Sequence, residues 1–142
     1  MNPMENKGII LYADDDSGTR DIVKKLIEFD FPAYITEFFG DGPSLEERLM
    51  KGTENVKLVL TDNEMPGITG LGITGSAIIR KYSKEPGFEN IRFVLCYAGN
   101  KSLGASLVRD GYAFSFLSKP FGIDDFTKTL EDALASAKKL TQ

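Results

Sequence analysis

The order in which short apolar runs and longer helical segments follow one another constrains this chain more than any other feature of its sequence. Five runs rich in Val, Ile, Leu and aromatics read as strands: Gly8–Ala13, Ala33–Phe39, Val56–Thr61, Ile91–Tyr97 and Phe114–Ser118. The first, third and fourth (GIILYA, VKLVLT, IRFVLCY) are almost continuously apolar, as strands covered on both faces should be. Helical segments alternate with them. The first runs from an N-cap at Ser17 to about Phe29, with Ile22, Val23, Leu26 and Ile27 as its buried stripe. The second spans about Ser44–Met50, where Ser44 and Glu47 have capping-box spacing and Leu45 and Leu49 face inward. A third follows the glycine-rich stretch Gly67–Gly75, a fourth lies near Ser102–Arg109, and a fifth covers Ile123 to about Leu140. Such alternation predicts an α/β fold, a doubly wound parallel sheet flanked by helices. For five strands the common order is 2-1-3-4-5.

At 142 residues, the chain is long enough to bury a core unaided, and one domain over residues 1–142 is the expectation. The last helix is read to end two residues before the C-terminus, and a second domain is not expected. A net charge of −4 argues against a dedicated nucleic-acid surface. The polar N-terminus with Pro3 and Glu5 lacks a secretory core, and no apolar run approaches membrane-spanning length. Cys96 is the single cysteine and sits in an apolar run, so a reducing, cytoplasmic setting is expected. Histidine is absent. Any chemistry must therefore come from carboxylates, lysines or hydroxyls.

Acidic residues gather where that chemistry belongs. Ligands of open parallel sheets bind outside the carboxyl ends of the strands, where the strand order reverses. The first strand ends in Asp14, Asp15 and Asp16, and the third in Asp62 followed by Glu64. With strands one and three adjacent, these carboxylates converge on one pocket. Clustered carboxylates stay ionised only with shared protons or a cation, and a hard divalent ion such as magnesium suits oxygen ligands and a partly filled shell. Strand five ends in Lys119-Pro120, which places an ammonium on the same edge, where it can bind a phosphoryl oxygen. Carboxylate, metal and lysine together suggest phosphoryl transfer. Taken singly, the acid turn also reads as a solvated helix cap, Asp62 as a turn residue before Pro66, and Lys119 as an exposed lysine.

As a set these motifs resemble the response-regulator receiver family of two-component signalling systems, whose best-known stand-alone members are the chemotaxis response regulators. The turn Ala13-Asp14-Asp15-Asp16-Ser17 leading to Arg20, the segment Thr61-Asp62-Asn63-Glu64-Met65-Pro66 with Gly70, and Lys119-Pro120-Phe121 fall at family spacing. The resemblance covers nearly the whole chain. It implies a flavodoxin-like fold of five parallel strands and five helices, with Asp62 as the phospho-acceptor. It further implies that Asp14, Asp15, Asp62 and the Glu64 backbone carbonyl bind Mg2+, and that Lys119 contacts the phosphoryl group after a cis peptide bond. The implied donor is a histidine kinase or histidine phosphotransfer protein, and the downstream target is a protein docking on the fourth helix, fifth strand and fifth helix. Such a protein is not an enzyme in the usual sense, since it catalyses only its own phosphorylation and dephosphorylation.

Two positions depart from the family. It places Thr or Ser at the end of strand four as a switch; here that position is Tyr97, whose longer phenol cannot make the same short contact, and Cys96 donates only weakly. The strand-five aromatic partner is Phe116, which has no hydroxyl, and core packing is the simpler role for it. Phosphorylation is expected to survive these changes while the inward swing of the strand-four hydroxyl does not. The glycines Gly67, Gly70, Gly72 and Gly75, with Gly99 and Gly104, predict mobile loops on this edge. Rival readings also follow. Gly70 to Gly75 satisfies GxGxxG, but it begins eight residues after Asp62 instead of directly after a strand. A flavin carrier of the same fold needs a phosphate loop where this chain has three aspartates. A pseudo-receiver that binds partners without phosphorylation is the stronger rival, and Tyr97 is its support.

Overall fold

The five apolar runs assemble into one parallel sheet in the order β2-β1-β3-β4-β5. In the computed structural model, which describes residues 6–65, 73–99 and 101–140 and gives the last five of these as backbone only, the strands are β1 (Gly8–Ala13), β2 (Tyr34–Phe39), β3 (Val56–Asp62), β4 (Arg92–Tyr97) and β5 (Ser115–Ser118). The helices are α1 (Ser17–Asp30), α2 (Gly42–Met50), α3 (Gly75–Tyr82), α4 (Lys101–Arg109) and α5 (Ile123–Leu140). Several ends shift by one residue from the sequence reading. One shift matters, because β3 extends to Asp62 and so carries that side chain on a rigid element. No helix among the described residues is long and apolar enough to cross a membrane.

Side chains alternate across the pleat, so β1 feeds two cores at once. Ile10 and Tyr12 join Val23 and Ile27 of α1 and Phe126, Leu130 and Ala133 of α5. Leu11 and Ala13 face the other way, onto Leu45 and Leu49 of α2, Ile78 and Ile79 of α3, and Leu107 of α4. Each fully buried side chain of the size of Leu60 or Phe126 contributes about 1.5–3 kcal/mol. The near-continuous apolar character of β1, β3 and β4 is the direct consequence of this double coverage.

Local chemistry corrects three sequence expectations. The cap of α1 is Asp16, one residue before Ser17, because its carboxylate accepts the Thr19 N–H at 2.8 Å. Likewise α2 begins before Ser44. Asp41 caps it by accepting the Ser44 N–H at 2.7 Å, the donor that Glu47 would accept in a Ser44–Glu47 capping box. Pro43 fits in that first turn, where its missing N–H has no intrahelical acceptor. In α1 the buried stripe narrows to Val23 and Ile27 with Leu26 partly covered, while Ile22 is 60% exposed. Ile22 lies one residue, about 100°, round the helix from Val23 and so is turned off the buried face.

Candidate functional site

The ends of β1 and β3 meet at the point where the strand order reverses. Ala13 is in register with Thr61, so Asp14 and Asp62, the next residue along each strand, stand side by side. One carboxylate oxygen each from Asp14, Asp15 and Asp62 lies within 4.8 Å of the others. Lys119 follows β5 after a cis Lys119–Pro120 bond. Its Nζ donates to Asp14 Oδ2 at 2.6 Å and to Asp62 Oδ2 at 3.2 Å. Of the carboxylates expected to converge, Asp14, Asp15 and Asp62 do so, with Lys119 beside them, whereas Asp16 turns to Thr19 as the cap of α1 and Glu64 is not part of the group.

Lys119 pairs with two of the three carboxylates, Asp14 and Asp62, so acidic side chains outnumber basic ones in this group. The consequence appears at Asp62. Burial, with the Asp14 charge, raises its pKa above the usual carboxylate value in spite of Lys119. Burial disfavours the Lys119 ammonium, but the Asp14 hydrogen bond and the two carboxylates outweigh it and raise that pKa. The two shifts are consistent because Lys119 sits nearer Asp14 than Asp62. Asp14 itself has no exposed surface. A cluster of hard oxygen donors that runs from buried Asp14 through half-buried Asp62 to exposed Asp15, with more acidic than basic groups, fits a magnesium-like cation.

Neighbouring residues hold the acids in place. The Asn63 N–H donates to Asp62 Oδ1 at 2.8 Å, and Asn63 Oδ1 accepts the Ser76 N–H at 3.0 Å at the start of α3. Gly75 opens α3 directly against β3, and its N–H donates to the Asn63 carbonyl at 2.9 Å. A Cβ at Gly75 would strike the Asp62 carbonyl group. Close backbone approach to the acid strand, not phosphate cradling, is therefore what this last glycine of the formal GxGxxG provides. The other two glycines of that motif, Gly70 and Gly72, lie outside the described residues, as do Pro66 and Gly67. Arg20 Nη1 donates to the Asp14 carbonyl at 2.6 Å and ties α1 to the end of β1. Asp15 and Glu64 are exposed. Glu64 lines a cavity of about 200 Å³ together with Asp62, Asn63, Tyr97, Ala98 and Lys119.

Tyr97 shapes this cavity without offering it a free hydroxyl. The residue is 6% exposed, and its hydroxyl accepts the Gly104 N–H of α4 at 3.0 Å. Its ring lies 6.4 Å from that of Phe116, tilted by 54°. Gly104 in turn packs on Phe116, where an added Cβ would lie 2.7 Å from Phe116 Cβ and Cδ2. Far from belonging to a mobile loop, Gly104 is buried inside a helix. Tyr97, Gly104 and Phe116 thus form one packed unit under α4.

Tyr12 is the site residue that sequence reasoning did not single out. It reads as one more apolar position of GIILYA, yet its hydroxyl donates to Asp14 Oδ2 at 3.0 Å. Burial raises its pKa, so it remains a donor. The available signal was a tyrosine two residues before an aspartate on the same strand face.

The comparisons with known proteins agree with this geometry. The model of the response regulator receiver domain matches residues 10–131. Among solved structures, the chain is similar to a response regulator receiver domain protein from Clostridium thermocellum, at 22% identity over 95% of this chain and 99% of that one, with a TM-score of 0.77. It is similar also to a CheY-like response regulator receiver domain protein from Methanospirillum hungatei JF-1 (20% identity, 93% and 97% covered, TM-score 0.74). A third is the signal receiver domain of an HD domain-containing protein from Pseudomonas fluorescens Pf-5 (18% identity, 94% and 99% covered, TM-score 0.76). At such identities these structures speak for the fold. No curated protein sequence matches. A family match over most of the chain, on a five-stranded sheet with this acid pocket at its switch point, means that the chain belongs to the response regulator receiver domain family.

Proposed function

We propose that the protein is a cytoplasmic receiver that accepts a phosphoryl group on Asp62 in a magnesium-dependent reaction. The observation that carries this reading is the grouping of Asp62, Asp14, Asp15 and Lys119 at the carboxyl edge of the sheet. Asp14, Asp15, Asp62 and the Glu64 backbone carbonyl would hold the cation. Bound magnesium neutralises charge on a transferring phosphoryl group. The donor is a phosphohistidine of a kinase or phosphotransfer protein, whose N–P bond breaks as an Asp62 oxygen bonds to phosphorus and the departing imidazole takes a proton. Lys119, already 3.2 Å from Asp62, binds a phosphoryl oxygen and so stabilises charge where it develops. The modified protein then signals through contacts of α4, β5 and α5 with a protein partner.

A second reading has its own support. The Tyr97 hydroxyl is engaged with Gly104, which favours a pseudo-receiver that binds partners in one fixed state. Intact mass after incubation with magnesium and acetyl phosphate separates the two. A single phosphoryl addition that requires magnesium and is lost in Asp62→Asn is expected. A folded, magnesium-binding protein that stays unmodified both with acetyl phosphate and with its kinase would instead establish the pseudo-receiver.

A further inference from the structure

Asp14 is entirely buried, yet its carboxylate is met by three donors from this chain. Oδ1 accepts the Asp16 N–H at 3.0 Å, while Oδ2 accepts both Lys119 Nζ at 2.6 Å and the Tyr12 hydroxyl at 3.0 Å. The first two belong to a turn and to a flexible lysine. The third stands on β1 itself, two residues away on the same face. The Tyr12 ring has no exposed surface and meets Phe38 edge-on, with centroids 6.0 Å apart and planes at 64°. Its hydroxyl therefore has one place to be.

We infer that Tyr12 is a positioning residue of the acid pocket, whose hydroxyl holds Asp14 Oδ2 and so keeps the orientation of a carboxylate that would ligate the cation when Lys119 leaves. The inference rests on the receiver reading. Lys119 has two tasks that compete, since it pairs with Asp14 in this structure and would move to the phosphoryl group on modification. A buried carboxylate that loses its partner is costly. With Tyr12 still donating, Asp14 keeps a hydrogen bond and its orientation when Lys119 departs. Partners of this kind, which orient a ligating carboxylate, commonly govern metal affinity by a factor of 10 to 100.

The test compares Mg2+ binding by calorimetry in the full chain and in Tyr12→Phe, which keeps the buried ring. Roughly tenfold weaker binding is expected, with a circular dichroism spectrum like that of the parent and with phosphorylation by acetyl phosphate restored at saturating Mg2+. Restoration by excess cation separates loss of positioning from general damage. In the unaltered chain, the Tyr12 ring resonances should shift with the same Mg2+ saturation curve, a readout that stands even if the variant does not fold. Mg2+ binding within twofold of the parent in Tyr12→Phe, or ring resonances that ignore Mg2+, would overturn the role of Tyr12 and leave the receiver intact. Absence of Mg2+ binding by the parent protein would overturn both.

Discussion

Replacing Gly104 by alanine should destabilise this protein, although the same change inside most helices is stabilising. Gly104 is the fourth residue of α4, and in an unobstructed helix Ala is favoured over Gly by about 0.8–1.0 kcal/mol. Here the new Cβ would sit 2.7 Å from Phe116 Cβ and Cδ2 and closer still to Cγ. Atoms that near the β5 backbone cannot swing aside, so the helix must move, and overpacking of this kind costs about 1–3 kcal/mol. The net is a loss of about 1 kcal/mol once the propensity gain is subtracted. For 142 residues, each kcal/mol corresponds to about 3 °C in Tm. Calorimetry of the single variants and of Gly104→Ala in a Phe116→Ala background reads the coupling directly. Phe116→Ala removes Cγ and Cδ2 but keeps Cβ, so the cost of the alanine should fall by about 1 kcal/mol. A Gly104→Ala protein that melts higher than the parent would refute the close contact between α4 and β5. It would also remove the packed unit through which Tyr97 and Phe116 set the α4 face.

Three further outcomes are expected. Tyr97→Phe removes the acceptor for the Gly104 N–H, which should cost about 1 kcal/mol and speed amide exchange at Gly104, while magnesium-dependent mass addition at Asp62 persists; a phosphorylated structure with Tyr97 bonded to the phosphoryl group would contradict this. Asp62 has a raised pKa through burial and the Asp14 charge, so the folded state holds its proton to higher pH than the unfolded state. The contribution of this group is therefore full below the unfolded value near 3.8 and lost as pH rises through the folded value. In chelator, the urea midpoint of Asp62→Asn should gain on that of the parent across this window, and a constant difference would contradict the shift. Burial pushes the Cys96 thiol up to about 12, so a thiol reagent at pH 8 should leave the native protein unmodified and label one site after unfolding. Labelling of the native protein within minutes would show that β4 is not covered on both faces.

Much of the fold was legible because it is written in local pattern. Covered strands must be apolar almost throughout, and helices must be apolar on one stripe, so GIILYA, VKLVLT and IRFVLCY announce a parallel sheet without reference to anything distant. The positions of Asp14, Asp62 and Lys119 followed from strand ends and strand order alone. Caps were less legible, since Asp16 and Ser17, or Asp41 and Ser44, are equally good donors' partners in sequence and only the backbone path chooses between them. Contacts across elements were not legible at all. That the Tyr97 hydroxyl meets Gly104, and that Gly75 and Gly104 are glycines because Asp62 and Phe116 crowd them, depends on how far apart strands and helices settle when two cores are packed. By itself, the sequence determined the alternation of elements and the residues at the strand ends. Tertiary structure decided which hydroxyls and glycines serve them, because packing distances are a property of all the side chains in a layer and not of any one segment.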